Sequence, residues 1–256
     1  MLADPPVPRS TDRRIAFLGV LNFRDLGGYA TSGGGRTRWG HIYRSDTLSR
    51  LAPDDIEAFH LLGVETFYDL RRPDECEKEP GPLACINLVL PSRRVFDTDP
   101  ATLRDRHDGE RWLLEDYLGM LANAGPVFGQ LYAQLAHPAA KPAVFHCAGG
   151  KDRTGMTAAL LLLARGVDRE TVLDDYELTG QYGGPEHVPE VVDSFVQAGI
   201  SREAAEGMIS APRWAMAEAL RELDRTHGGI EAYLRGPARL AGETLAQLRQ
   251  RLIDQG

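Results

Sequence analysis

The segment PAVFHCAGGKDRTGMTAALLLLARG (142–166) leaves this chain few ways to fold. A short apolar run feeds a glycine-bearing loop, and a longer apolar run of helical length leaves it. Strand–loop–helix units of this kind build α/β sheets. In open α/β sheets, ligands bind beyond the carboxyl ends of the strands, which is where His146–Arg153 falls. A loop with two adjacent glycines can turn its backbone N–H groups inward and ring a tetrahedral dianion. The following helix adds its positive end at the same place. Cys147 stands six positions before Arg153, whose planar fork suits phosphate oxygens. A thiol titrates near about 8.5 in isolation and at roughly 3.5–7.5 beside helix N-termini and cations. The features that hold the anion therefore also favour a thiolate. These residues predict a thiol that attacks a bound phosphoryl group and carries it as a phosphocysteine.

The first half of the chain alternates strand-like and helical patterns. IAFLGV (15–20) reads as a strand, RTRWGHIYRS (36–45) holds one after the Gly33–Gly35 turn, and VETFYDL (64–70) and ACINLVL (84–90) read as buried strands. Pro53 and the acids after it start a helix that stops at Gly63. Amphipathic helices are predicted over 110–124 and 126–136. After about residue 168 the pattern is wholly helical: 168–178, 188–198, 201–209, 213–226, 229–235 and 243–254. The expected fold is a central α/β sheet flanked by helices, with a helical C-terminal half. That half forms either packing layers or a lid over the site, with the lid placed at about 180–227. Residues 1–13 read as a flexible tail and 14–256 as one domain, as the length of 256 residues allows.

Bulk properties narrow the function. The net charge of −8 argues against a broad nucleic-acid footprint, which needs a basic face. Local basic clusters can still bind phosphate, because exposed charges more than about 8 Å apart are largely screened. Three cysteines, Cys76, Cys85 and Cys147, make neither a disulfide framework nor a zinc site, so no metal and no cofactor is expected. They read as core or surface thiols apart from Cys147, and a reduced compartment suits them. The start shows no apolar signal core, and AALLLLA (158–164) is too short to span a bilayer. The cytoplasm is the default expectation, with signal-independent export left open and no membrane insertion.

HCAGGKDRTG (146–155), taken with NFRDLGGY (22–29), YRSD (43–46), DLRRPDE (69–75) and DDYELT (174–179) in that order, resembles the bacterial tyrosine/serine phosphatases, cysteine-based enzymes that include secreted triple-specificity members. The resemblance spans roughly 15–235. It implies a phosphatase-type α/β core, Cys147 as nucleophile and Arg153 as binder of phosphate and transition state. Phosphoinositide phosphatases also carry a lysine where this chain has Lys151, and family members have been considered to use an aspartate at the Asp152 position for proton transfer. The family lacks a clear mobile acid loop of the Trp-Pro-Asp type, and this chain likewise has no such tripeptide. The implied substrates are phosphorylated proteins or phosphoinositides.

Read residue by residue, the phosphate cradle is Ala148, Gly149, Gly150, Lys151, Asp152 and Arg153. His146 orders the loop by hydrogen bonds. Thr154 either caps the helix or donates to the sulfur and helps it leave in the second step. A phosphotyrosine ester must have its leaving oxygen protonated, and Asp152 and Asp69 share that role as candidates. For Asp69, at the end of a strand, a salt bridge to Arg71 or Arg72 is the alternative. Arg24 and Asp25 are read as a pair that positions the loop, and Arg44 and Ser45 as strand-end supports or a polar rim. Two other functions use similar parts. A rhodanese-like sulfurtransferase also holds a cysteine in an anion-cradling loop, but the Cys147–Arg153 spacing with Thr154-Gly155 behind it favours phosphate. A non-catalytic phosphoprotein-binding module is disfavoured by the intact Cys147 and Arg153.

Overall fold

The structure is a computed structural model and describes residues 13–255. The tail expected at 1–13 lies, apart from Arg13, outside the described residues. A five-stranded sheet organises the rest in the order β1 (Arg24–Asp25), β3 (Ile42–Ser45), β6 (Ala143–His146), β4 (Thr66–Asp69) and β5 (Ile86–Asn87). The last four strands run parallel and β1 is antiparallel to β3. β6 sits in the middle, every residue buried. Its register places His146 opposite Ser45 on one side and Asp69 on the other. Strand ends therefore bring Ser45, His146 and Asp69 to the same edge. A separate short ribbon joins β2 (Arg36–Thr37) to β7 (Ile253–Asp254), tying the two halves of the chain together.

Helices cover the sheet. α1 (Pro53–Leu61) and α2 (Pro73–Lys78) lie in the first half. α3 (Arg106–Asn123), α4 (Gly125–Ala136), α5 (Asp152–Ala164) and α6 (Arg169–Gly183) follow. The C-terminal set is α7 (Pro189–Gln197), α8 (Arg202–Ile209), α9 (Arg213–His227), α10 (Ile230–Arg235) and α11 (Gly242–Leu252). Side-chain caps open several: Asp105 accepts from Asp108 N, Asp168 from Thr171 N and Ser201 from Ala204 N. α5 is buried almost throughout, from Arg153 to Ala164 with Leu163 half-buried, which explains its unbroken apolar run. α3 and α8 approach unusually closely because each presents a glycine. A Cβ on Gly109 would meet Ala204 O at 2.1 Å, and one on Gly207 would meet Arg106 O at 2.4 Å.

Two expectations change. IAFLGV forms no strand: the Asp55 carboxylate accepts N–H bonds from Leu18 at 2.7 Å and Gly19 at 2.8 Å, so a side chain takes the donors that a ladder would need, and Leu18 is exposed. ACINLVL narrows to Ile86–Asn87, both exposed on the sheet edge, although Leu88 and Leu90 beyond them are buried. α2 is a helix for which the sequence reading had no expectation. It starts with Pro73, and Glu75 accepts from Arg72 N at 2.9 Å, a start signal of ordinary kind.

Candidate active site

β6 delivers Cys147 to the carboxyl edge of the sheet, and α5 begins five residues later. The loop between them is held from beneath. Gly150 has φ +64, and a Cβ there would lie 2.5 Å from both Asp46 N and Ser45 O, so the position demands glycine on conformational and steric grounds. The Gly150 carbonyl accepts from Arg44 Nη2 at 2.9 Å and from Asn22 Nδ2 at 3.0 Å. Thr47 N donates to Ala148 O at 2.9 Å, and Leu70 N to His146 O at 2.8 Å. The loop is thus clamped on both flanks by the neighbouring strand ends.

Beneath the clamp lies a buried ion network. Asp175 of α6 accepts from Arg24 Nε at 3.0 Å, Arg44 Nη1 at 2.6 Å and the Tyr29 hydroxyl at 2.9 Å. Burial by itself would raise the Asp175 pKa, but the two guanidinium groups hold it well below the ordinary carboxylate range. Burial, with Arg24 adding to it, lowers Arg44 to about 10, which leaves it charged at neutral pH. Arg24 is therefore paired with Asp175, not with Asp25 as the sequence suggested. Asp25 instead accepts from Gly27 N and Gly40 N, both at 2.7 Å, and shapes its own turn.

Cys147 is 2% exposed and lies on the wall of a cavity of about 660 Å³. Ala148, Gly149, Lys151, Asp152 and Arg153 share that cavity. Of the predicted cradle, only Gly150 is turned away, into the clamp. Arg153 reaches Glu75 of α2 with Nη1 at 2.7 Å and Nη2 at 2.8 Å. Burial alone would lower the Arg153 pKa, and Glu75 with the nearby Cys147 sulfur raises it. Lys151 Nζ donates to Asp152 Oδ1 at 2.6 Å, and Tyr117 donates to the same oxygen at 2.8 Å. The Thr154 hydroxyl is buried and has no hydrogen-bond partner among the described residues.

His146 and Asp69 lie on the far side of the loop. Burial lowers the His146 imidazole to about 4, so the ring is neutral at physiological pH. Its Nδ1 sits 3.4 Å from Cys147 O. Asp69 is not in the cavity with Cys147. It pairs with Arg71 through Nε at 3.0 Å and Nη2 at 2.7 Å, in a smaller pocket that also holds Cys76, Cys85 and His146. Burial opposes ionisation of Asp69, yet Arg71 and His146 hold its pKa below the ordinary range. That placement does not support the acid role read from its strand-end position: the salt bridge to Arg71 prevails.

Glu75 and Asp116 are among the cavity residues that escaped the sequence reading. Glu75 sits in the DLRRPDE segment, but no local pattern shows that its partner lies 78 positions later. Asp116 of α3 is 3% exposed and borders the cavity. Its signal was legible. It falls four residues after Trp112 and four before Met120, both buried, so an acid occupies the apolar face of an amphipathic helix. Among the described residues, no group of three His, Cys, Asp or Glu side chains could hold a metal ion.

A thiol facing a guanidinium across an amide loop, at the carboxyl edge of a parallel sheet, makes a cysteine-dependent enzyme of phosphate ester cleavage. The chain belongs to the tyrosine phosphatase family, whose sequence model matches residues 15–254. A Cupriavidus necator protein provisionally named a tyrosine-protein phosphatase is 30% identical over 253 residues, covering 92% of this chain and 86% of that protein. PtpB of Mycobacterium tuberculosis, named a triple specificity protein phosphatase, is 27% identical over 278 residues, covering 92% of this chain and 97% of its own. Among solved structures, TpbA of P. aeruginosa covers 72% of this chain and 96% of its own at 18% identity and a TM-score of 0.34. Membership of the family replaces the sulfurtransferase and binding-module readings.

Proposed function

We propose that Cys147 attacks the phosphorus of a phosphotyrosine ester while the Ala148–Arg153 loop holds the equatorial oxygens. The S–P bond forms, the P–O bond breaks, and water then releases inorganic phosphate and regenerates the thiolate. Arg153 stabilises the charge spread over the transferring group. Glu75 takes one N–H from each terminal nitrogen and leaves the remaining donors of the fork for phosphate. His146 acts as a neutral loop support. Thr154 has a hydroxyl without a partner, free to donate to the departing sulfur in the second step. The observation that carries this reading is the convergence of Cys147, Lys151, Asp152 and Arg153 on one cavity.

Substrate range follows from the walls of that cavity. Val95, Phe96, Val191, Phe195 and Ile209 supply an apolar side for an aromatic ring. Arg50, Arg72, Lys78 and Arg94 also border it. Arg50 pairs with Asp46, and Arg72 and Arg94 with Asp74, while Lys78, with no ion pair among the described residues, suits a second phosphate. We extend the proposal to phosphoserine, phosphothreonine and phosphoinositides on that basis, and the triple specificity in the name of PtpB supports the extension. The cytoplasm is the setting we propose, since a nucleophilic thiol stays reduced there. We also propose that 14–256 works as one domain and that α7 is the covering element within 180–227.

A panel of phosphopeptides and soluble phosphoinositides, run with wild type and Cys147→Ser, tests this. Phosphate release by wild type and none by Cys147→Ser is the expected outcome. Turnover of p-nitrophenyl phosphate by Cys147→Ser would remove the covalent route.

A further inference from the structure

A phenolate, with a pKa near about 10, leaves phosphorus poorly unless a proton reaches its oxygen as the bond breaks. The carboxyl groups around the loop differ in whether they have one to give. Glu75 is bound by Arg153 through both oxygens. Burial raises the Asp46 carboxyl to about 8, but it accepts from Leu21 N at Oδ1 and from Arg50 Nη2 at Oδ2, so neither oxygen is open to a leaving group. Asp152 takes the Lys151 ammonium and the Tyr117 hydroxyl on one oxygen, an arrangement that makes it an acceptor.

Asp116 is placed differently. Its Oδ1 accepts the Arg93 N–H at 2.6 Å. That is the one hydrogen bond to its carboxylate among the described residues, which leaves Oδ2 unengaged, and Asp116 lines the cavity that Cys147 borders. The charges facing it are those of Asp152, Lys151 and Arg153. The Arg93 guanidinium turns away, to Glu115 and the Trp112 carbonyl. Met208 and Ile209 of α8, on the same cavity, are uncharged. Burial, followed by the nearby Asp152 carboxylate, raises the Asp116 carboxyl to about 7.

We propose that Asp116, from α3 and outside the phosphate loop, is the general acid of the reaction. Its Oδ2–H passes the proton to the leaving oxygen as the S–P bond forms and the P–O bond breaks. In the second step the same carboxylate takes a proton from the attacking water, and the S–P electron pair returns to Cys147. The proposal rests on the phosphocysteine reading.

Steady-state kinetics of wild type, Asp116→Asn and Cys147→Ser on phenyl phosphate and p-nitrophenyl phosphate test it. For Asp116→Asn, kcat on phenyl phosphate should fall by about 10²-fold, with a far smaller loss on p-nitrophenyl phosphate. A general acid works only while protonated, so wild-type kcat/KM on phenyl phosphate should decline as pH rises through about 7. That limb should vanish in Asp116→Asn. Equal losses on the two substrates, or a persistent limb, would overturn the assignment while an inactive Cys147→Ser leaves the covalent route standing. An active Cys147→Ser would remove both. Should Asp116→Asn fail to fold, wild type alone decides: the rate ratio of the two substrates must grow above pH 7, and a pH-independent ratio overturns the proposal.

Discussion

Arg153 shows how a single side chain combines a legible role with a hidden one. Its distance from Cys147 in the chain announces a phosphate fork, because loop and helix start are local and their spacing reports their geometry. What keeps the fork aimed is Glu75, brought from α2 by tertiary packing. Arg153→Lys retains charge but loses the paired donors, and kcat should fall by about 10²–10³-fold, read by steady-state assay on a phosphotyrosine peptide. Glu75→Ala leaves a buried guanidinium unaimed, and kcat/KM should drop by up to about 10²-fold. If Glu75→Ala kept wild-type kcat/KM, the aiming role would be lost. Asp116 was readable in principle, as an acid among apolar neighbours on α3. Asp69 misled because strand-end position says which edge a residue reaches and not which side of the loop it faces.

Elements are joined here by charge as much as by apolar packing. Asp175 carries α6 onto β1 and β3 through Arg24 and Arg44, and Arg44 continues to the Gly150 carbonyl. Removing one member leaves buried charge unpaired. Asp175→Asn should therefore cost about 3–5 kcal/mol, measured by urea denaturation, and should lower activity by loosening the loop. Because the folded pKa of Asp175 is depressed, its stabilisation is fully present above the unfolded value of about 3.9 and lost as pH falls through the lower folded value. The acid limb of the stability profile should flatten in the Asn variant. Helix positions in the second half were legible to within a residue or two, since amphipathic periods and caps are local, except that α6 runs on to Gly183, five residues past its expected end. The partners of Arg24 were not, as Asp175 stands 151 positions away and Asp25 stands beside it.

Across the molecule, the helical second half is not uniform. α8 buries Ala204, Ala205 and Met208, and α9 buries Ala215, Met216, Ala219, Leu220 and Leu223, all in the main core. α7 buries only Val192, while Val191 and Phe195 border the cavity. Of the packing-layer and lid alternatives, α8 and α9 fit the first and α7 fits the second. Amides of α7 should exchange with deuterium faster than those of α8 and α9, and vanadate bound at Cys147 should slow α7 alone. Equal protection of the three helices would count against α7 as a cover. No helix among the described residues is long and apolar enough to cross a membrane.

The order of residues from 142 to 166 was enough to specify a strand, an anion-binding loop and a buried helix with a thiol and a guanidinium at their junction. Those features depend on contacts within a few positions, where sequence spacing and spatial spacing are nearly the same. Packing alone settled which carboxyl group faces the cavity, which cation each acid meets and which helix stays loosely held. Such choices depend on groups distant in the chain, and their charge states follow from burial, which exists only once the fold is closed.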